Sequence, residues 1–400
     1  MSTRKYRFFT MLVLLAIASL VAAACAQAQP TPAPASGETP ASVPPVSAGG
    51  KALKIAFVGP TSGPAAGDGL PASKAAQLAV DQRNAAGGIC GGRKVELVIH
   101  DDKADPKEGA NVATLLCGNP EILAAAANMN SSVVLAGAPI YNECGLVQGD
   151  WYGVAGAITK AGPYTFRTIP TGDVQSIWVA DWMVNVDGHK KIASLYENND
   201  YGKSMNDVFT QKVKELGGEI VASEAQLIDQ TDFSAVVSKF KAAKPEAVFI
   251  ISSYSAAGYF LKQSADMEFT PVMYGADGIF SPDLINLAGK AAEGVTSNSA
   301  YSMNSTDPYV QNFVKSYRDA FGMDPNNPSG YTFDMTNLIL DGLDATGCTR
   351  KGVMEWLTSN VKSKQGVTGI ITFDENGDRV FDPNLFVKVV VKDGKWVDLK

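Results

Sequence analysis

Short apolar runs alternate with amphipathic stretches along most of this chain, and the alternation restarts part-way, which leaves few folds open. Residues 54–58 (KIAFV) read as a strand ended by Gly59-Pro60, and 72–86 as a helix stopped by Gly87-Gly88. Strands follow at 94–100 and 121–127, with helices at 106–116 and 131–141. Asp101, Asp102 and Asp105 then end a strand and cap the helix that begins at Pro106, rather than hold a metal. A second series opens with a strand at 191–196 and a helix from about Gly202, on which Met205, Val208, Phe209, Val213 and Leu216 share one face. Phe233, Val236, Val237 and Phe240 mark another helix by their i, i+3, i+4, i+7 spacing, as do Val310, Phe313, Val314, Tyr317 and Phe321. Further strands are expected at 246–251 and 271–274. Strands separated by helices at this spacing require crossover connections and parallel sheets. The expectation is an α/β chain of two Rossmann-like lobes joined by a hinge, with ligands taken at the carboxyl ends of the strands.

The expected boundaries are 51–170 for the first lobe, with 300–365 returning to it, and 171–299 for the second, with 366–400 returning to that. In the tail, 369–373 and 385–391 read as strands joined through Asp374-Glu375-Asn376-Gly377-Asp378, a hairpin turn rather than a calcium loop.

The first fifty residues are of another kind. Arg4, Lys5 and Arg7 precede an uncharged apolar run from Phe8 to Ala24, which ends in small residues before Cys25. That is the pattern of a secretory leader over 1–24, too short to span a bilayer comfortably. Small residues before Cys25 resemble a bacterial lipobox, with Ala22 where leucine is usual, so lipidation of Cys25 and plain cleavage both remain open. Residues 25–50, rich in Pro, Ala, Ser and Thr, cannot bury enough apolar surface to order themselves and read as a tether. The expected location is outside the cytoplasm, either anchored to the outer face of the membrane or periplasmic. Four cysteines remain, Cys90, Cys117, Cys144 and Cys348, and an exported chain pairs them as structural disulfides. Three connectivities are possible. Placing Cys90 and Cys117 on one edge of the first lobe favours Cys90–Cys117 with Cys144–Cys348.

Chemistry-bearing motifs are missing where an enzyme would need them. The two histidines, His100 and His189, are not spaced as ligands, and no nucleophile elbow or Walker loop occurs. The glycines of 63–69 do not follow the dinucleotide order. With 34 basic against 41 acidic residues and no basic patch, nucleic acid is not an expected partner. No cofactor or metal is expected, and the chain is expected to be a monomer.

An ordered set of short motifs carries a resemblance. It comprises Gly59-Pro60-Thr61-Ser62-Gly63-Pro64, Asn84-Ala85-Ala86-Gly87-Gly88-Ile89, Asp101-Asp102 with Asp105-Pro106, and Phe166-Arg167-Thr168 with Asp173 and Gln175. Asp200-Tyr201-Gly202, Asp232-Phe233, Ala292-Glu293-Gly294 and Phe373-Asp374 with Gly377-Asp378 follow in order. From about 54 to 390 the chain resembles the type I periplasmic binding proteins of the leucine-isoleucine-valine group, which serve ABC importers of branched-chain amino acids and amides. The resemblance implies a non-enzymatic protein that closes on an amino acid or amino-acid-like solute and delivers it to a membrane permease with cytoplasmic ATPases. An exported sensor module of the same fold, acting on a receptor, is the alternative. Carried over by position, the resemblance implies Ser131 and Ser132 at the ligand carboxylate, Thr159 as a second polar contact, and Tyr201 and Tyr254 from the second lobe. It implies Asp277 as the partner of the ligand ammonium. The hydroxyls of Ser131 and Ser132 also suit a helix start, as anion ligands or as caps. The loop from Thr61 to Leu70 lacks the aromatic of leucine binders, which leaves the side-chain specificity open.

Overall fold

The computed structural model describes residues 50–382 and 386–399. Cys25, the leader and nearly all of the tether lie outside the described residues. The first series is β1 (Leu53–Gly59), α1 (Ala66–Ala85), β2 (Val95–Asp101), α2 (Pro106–Cys117), β3 (Ile122–Ala127), α3 (Ser131–Cys144), β4 (Val147–Asp150) and β5 (Thr165–Arg167). Its five strands form a wholly parallel sheet in the order β2-β1-β3-β4-β5. The period of two along β1 sorts its side chains onto two cores. Ile55 and Phe57 join the core that holds Ala72, Ala76 and Leu338, whereas Ala56 and Val58 join Val112, Leu116 and Tyr141. The cap predicted before Pro106 is present: Asp105 accepts hydrogen bonds from the Lys107 and Glu108 amides at 2.9 Å each.

The second series is α4 (Gly172–Asp181), β6 (Lys191–Glu197), α5 (Asp200–Glu215), β7 (Glu219–Gln226), α6 (Ser234–Ala243), β8 (Ala247–Ile251), α7 (Tyr254–Asp266), β9 (Val272–Gly275), α8 (Pro282–Ala288) and β10 (Thr296–Ser299). The chain then returns to the first sheet with α9 (Pro308–Phe321), α10 (Asn327–Ala345) and α11 (Arg350–Asn360), followed by the small antiparallel pair β11 (Lys364–Gly366) and β12 (Gly369–Ile371). It ends with β13 (Val387–Lys392) and β14 (Lys395–Asp398) in the second sheet, whose order is β14-β13-β10-β9-β8-β6-β7. That sheet is parallel from β7 to β10, with β13 and β14 as an antiparallel edge. The architecture is the expected two-lobed α/β fold, with the chain passing between the sheets three times.

Two expectations need correction. The hairpin between 369–373 and 385–391 does not form. β12 pairs with β11, β13 pairs with β10 and β14, and the Asp374–Asp378 turn closes only an isolated bridge between Phe373 and Arg379. The turn reads locally as expected, with Asp374 Oδ1 accepting from the Asn376 and Asp378 amides, but it buttresses the first lobe instead of joining two long strands. The disulfides are Cys90–Cys348 and Cys117–Cys144, with Cα–Cα distances of 6.2 and 5.7 Å. α2 and α3 pack side by side and end together, which brings Cys117 to Cys144. α1 packs along α10, so Cys90 beyond the first helix meets Cys348 beyond the second. The sequence offered no sign of that long-range neighbour.

Candidate functional site

In each sheet the strand order reverses once, at the strand next to one edge. β1 lies between β2 and β3, and β6 lies between β7 and β8. Loops leaving the carboxyl ends of two strands on either side of such a reversal turn to opposite faces and leave a crevice between them. Met129, Asn130 and Ser131 follow β3, and Tyr152 follows β4; Tyr201 follows β6, Ser253 follows β8, and Asp277 and Gly278 follow β9. These residues, with Glu197 at the end of β6, line one cavity between the lobes of about 380 Å³, part of it open to solvent.

On the first lobe Ser131 opens α3 but does not cap it. The cap is Asn130, in an extended conformation, and its Oδ1 is buried without a partner. The Ser131 hydroxyl oxygen instead accepts from the Val154 and Ala155 amides at 3.1 Å each. Both lone pairs are thus engaged, and its proton is left to donate toward the cavity. The first amides of a helix also lack intrahelical acceptors. A hydroxyl proton and helix N-terminal amides together suit a carboxylate.

The second lobe presents the opposite character. Asp277 is buried, and burial pushes its carboxyl up to about 7. Glu197 is also buried and raised, with one oxygen taking the Ser253 amide at 2.7 Å and the other the Asn199 side chain at 2.8 Å. No lysine, arginine or histidine lines the cavity. The Tyr201 and Ser253 hydroxyls are buried there and make no hydrogen bond of good geometry. Gly278 allows Tyr201 its position, because a Cβ at 278 would stand 2.9 Å from the Tyr201 oxygen. Across the wall Asp68, near the start of α1, is pushed up to about 8 by burial and by the charges of Asp283 and Asp277. Its Oδ1 accepts from Asn326 at 3.2 Å.

Three hydrogen bonds fasten one lobe to the other around this cavity. The Asp200 amide donates to Ser132 Oγ at 3.1 Å, the Gly67 amide to Tyr254 Oη at 3.2 Å, and Tyr152 Oη to the Asp277 carbonyl at 3.2 Å. Asn327 in turn donates to Tyr152 Oη at 2.8 Å. Of the residues expected at the site, Ser131, Tyr201 and Asp277 converge on the cavity. Ser132 and Tyr254 sit beside it as the partners of cross-lobe bonds. Thr159 is not brought there: its hydroxyl donates to Asp378 at 2.7 Å, among the groups that hold Arg167. Tyr152, Asp68 and Glu197 were not singled out from sequence.

With that geometry established, the relatives are informative. A family model described as periplasmic binding protein matches residues 52–395. The chain belongs to the periplasmic binding protein family. As a member it binds a solute and is not an enzyme. It is 30% identical over 359 residues to the Leu/Ile/Val-binding protein homolog 2 of Brucella abortus, covering 88% of this chain and 95% of that one. It is 28% identical over 332 residues to a leucine-, isoleucine-, valine-, threonine-, and alanine-binding protein of Pseudomonas aeruginosa, covering 82% and 87%. Among solved structures, the leucine binding protein LivK of Thermotoga maritima superposes with a TM-score of 0.80 at 25% identity, covering 87% of this chain and 98% of that one. The branched-chain amino acid transporter substrate binding protein LivJ of Streptococcus pneumoniae, in complex with isoleucine, gives 0.80 at 25% identity, covering 87% and 100%. This periplasmic binding protein thus shares the two-lobed α/β fold of these structures. Among its described residues no helix is long and apolar enough to cross a membrane, and no cluster of His, Cys, Asp and Glu is arranged to hold a metal.

Proposed function

We propose that this protein captures an α-amino acid or close analogue in its interlobe cleft and delivers it to an ABC importer, a membrane permease with cytoplasmic ATPases. One observation carries the reading. The cavity is closed on one side by a serine hydroxyl at a helix N-terminus and on the other by a buried carboxyl with no basic partner. A zwitterion answers both: its carboxylate meets Ser131 and the α3 amides, and its ammonium meets Asp277. Because the groups belong to different lobes, such a ligand stabilises the closed form over the open one. Tyr201 and Ser253 supply hydroxyls to the ligand's polar atoms, while Ser132 and Tyr254 hold the lobes together over it. We further propose that the mature chain begins at a lipidated Cys25, with 25–50 as the tether that lets the body stand away from the membrane.

The test is a thermal-shift screen over amino acids, amides and aromatic acids, followed by calorimetric titration. A ligand present at about 100 times its Kd adds about 2.7 kcal/mol of stability and a clear rise in Tm. Binding confined to acids that lack an amine would overturn the assignment of Asp277. For the anchor, membrane-purified protein should carry a diacylglycerol mass at Cys25, and Cys25→Ala should release it.

A further inference from the structure

Tyr152 lies across the cleft. It follows β4 on the first lobe, yet its hydroxyl donates to the Asp277 carbonyl of the second at 3.2 Å and accepts from the Asn327 side-chain amide at 2.8 Å. Asn327 is itself held, its Oδ1 accepting from Ser299 at 2.8 Å. Trp151 and Tyr331, neither of which lines the cavity, pack against the phenol with ring centroids 6.4 and 5.7 Å from it. The Tyr152 ring is buried and forms part of the cavity wall, together with the apolar surfaces of Met129 and Tyr201. Turning it aside would break a bond between the lobes and take the acceptor from the buried Asn327 amide, and a buried donor without a partner is unfavourable. The ring therefore stays, and it takes space. The room that a water-sized body finds within the cavity is about 40 Å³; the rest of the 380 Å³ is gaps between atoms and the open mouth. At roughly 10–15 Å³ of such room for each water, that is space for about three waters. The carboxylate and ammonium of an amino acid use most of it, which leaves a hydrogen, a methyl or a hydroxymethyl for the side chain. The wall from the second lobe yields no more. A Cβ at Gly278 would stand 2.7 Å from the Ser252 carbonyl and 2.9 Å from Tyr201 Oη, so main chain and ring already meet there.

We infer that Tyr152 sets the size of the ligand: it confines the cavity to a small α-amino acid of the glycine, alanine or serine class. This rests on the amino-acid reading above and narrows it. A longer side chain must displace the ring, and with it the bond that Tyr152 makes to the other lobe. Size is thus read as closure, because only a short side chain leaves that bond in place.

The test titrates the intact protein by calorimetry with glycine, L-alanine, L-serine, L-valine, L-leucine and L-phenylalanine, and follows closure by small-angle scattering. At least one of the three small amino acids is expected to bind tenfold or more tighter than leucine, roughly what forcing extra methylenes into a packed site costs. At saturation it should also give a smaller radius of gyration than leucine does. Tyr152→Ala removes the ring and should shift the ratio of leucine to alanine affinity tenfold or more toward leucine. Tyr152→Phe keeps the ring without its hydroxyl and should keep the preference for small over large. The ligand series on the unaltered protein decides the size class without either variant. Leucine or phenylalanine binding there as tightly as the small set overturns the inference and leaves the amino-acid reading standing. A preference that survives Tyr152→Ala, or is lost in Tyr152→Phe, overturns the role of the ring. If no α-amino acid of any size binds, both readings fall together.

Discussion

With no basic side chain beside it, the Asp277 carboxyl is pushed up to about 7, so at neutral pH a proton would compete with the proposed ligand ammonium for the same oxygens. Removing the acid leaves the ammonium buried and uncompensated, at a cost of about 3–5 kcal/mol. Asp277→Ala should therefore weaken ligand binding by at least about a hundredfold in calorimetry. Ser131→Ala should cost less, since the α3 amides remain; a charge-assisted hydrogen bond is worth about 1.5–3 kcal/mol. Asp68, raised to about 8, makes a prediction about pH. A carboxyl whose pKa is higher in the folded state binds its proton more tightly there, so its contribution to stability falls as pH rises from the unfolded value near 4 to the folded one. Asp150, raised to about 8, and Asp102, raised to about 6, act with the same sign. The ligand-free protein should therefore lose Tm between about pH 5 and 8, and less steeply in Asp68→Asn; a flat profile in the parent would refute the burial argument. At this scale the site was half legible. Ser131, Tyr201 and Asp277 stand at strand ends where polar residues face a cleft. Asp68 and Tyr152 matter through what they approach from other loops, and a linear sequence does not hold that information.

Arg167 does at the level of elements what no single contact does. Buried at the end of β5, it donates to Asp378 Oδ1 at 2.7 Å and to the carbonyls of Ala155 and Gly153 at 2.8 and 3.3 Å. The same short segment gives its Val154 and Ala155 amides to Ser131. The Asp374–Asp378 turn, β5 and the start of α3 are thus one assembly. Arg167→Met should cost about 3–5 kcal/mol in urea unfolding by stranding Asp378, and should also weaken ligand binding because Ser131 loses its orientation. The disulfides test how helices are paired. Cys117–Cys144 closes a separation of 27 residues, for which loop entropy predicts about 3–4 kcal/mol. Non-reducing peptide maps should recover that pair and Cys90–Cys348, and Cys117→Ser should lower the urea midpoint accordingly. Elements with one apolar face were legible from sequence. α9 buries Val310, Phe313, Val314 and Tyr317 as its stripe predicts. α10 was not read, because it is buried on nearly every side and has no stripe to show. Its Thr332 and Thr336 hydroxyls turn back to the carbonyls four residues earlier, and Asp334 takes the Val367 and Thr368 amides, so polar residues sit inside. β4 (VQGD) was missed for a similar reason: its polar side chains point into the lobe, where Gln148 donates to Asn128 Oδ1 and to the Val134 carbonyl.

Across the whole molecule, the cross-lobe bonds set the balance between open and closed forms. Tyr254→Phe removes the oxygen that accepts from Gly67, a bond worth about 0.5–1.5 kcal/mol in the closed form alone. Affinity should fall roughly two- to tenfold, and small-angle scattering of the ligand-free variant should show a larger radius of gyration than the parent. An unchanged radius would mean that this bond does not help to hold the lobes together. The three passages of chain between the sheets have a consequence for biogenesis. The second lobe is nearly contiguous, from α4 to β10, and lacks only its edge pair. The first lobe has all five strands once Arg167 has been made, but its core is completed by α10, and Cys90 finds Cys348 only 258 residues later. A chain that emerges amino end first must therefore carry an unfinished first lobe while the second matures. Its last oxidation, Cys90–Cys348, marks passage of the chain beyond α10, and any chain that stops short of Cys348 arrives with Cys90 unpaired.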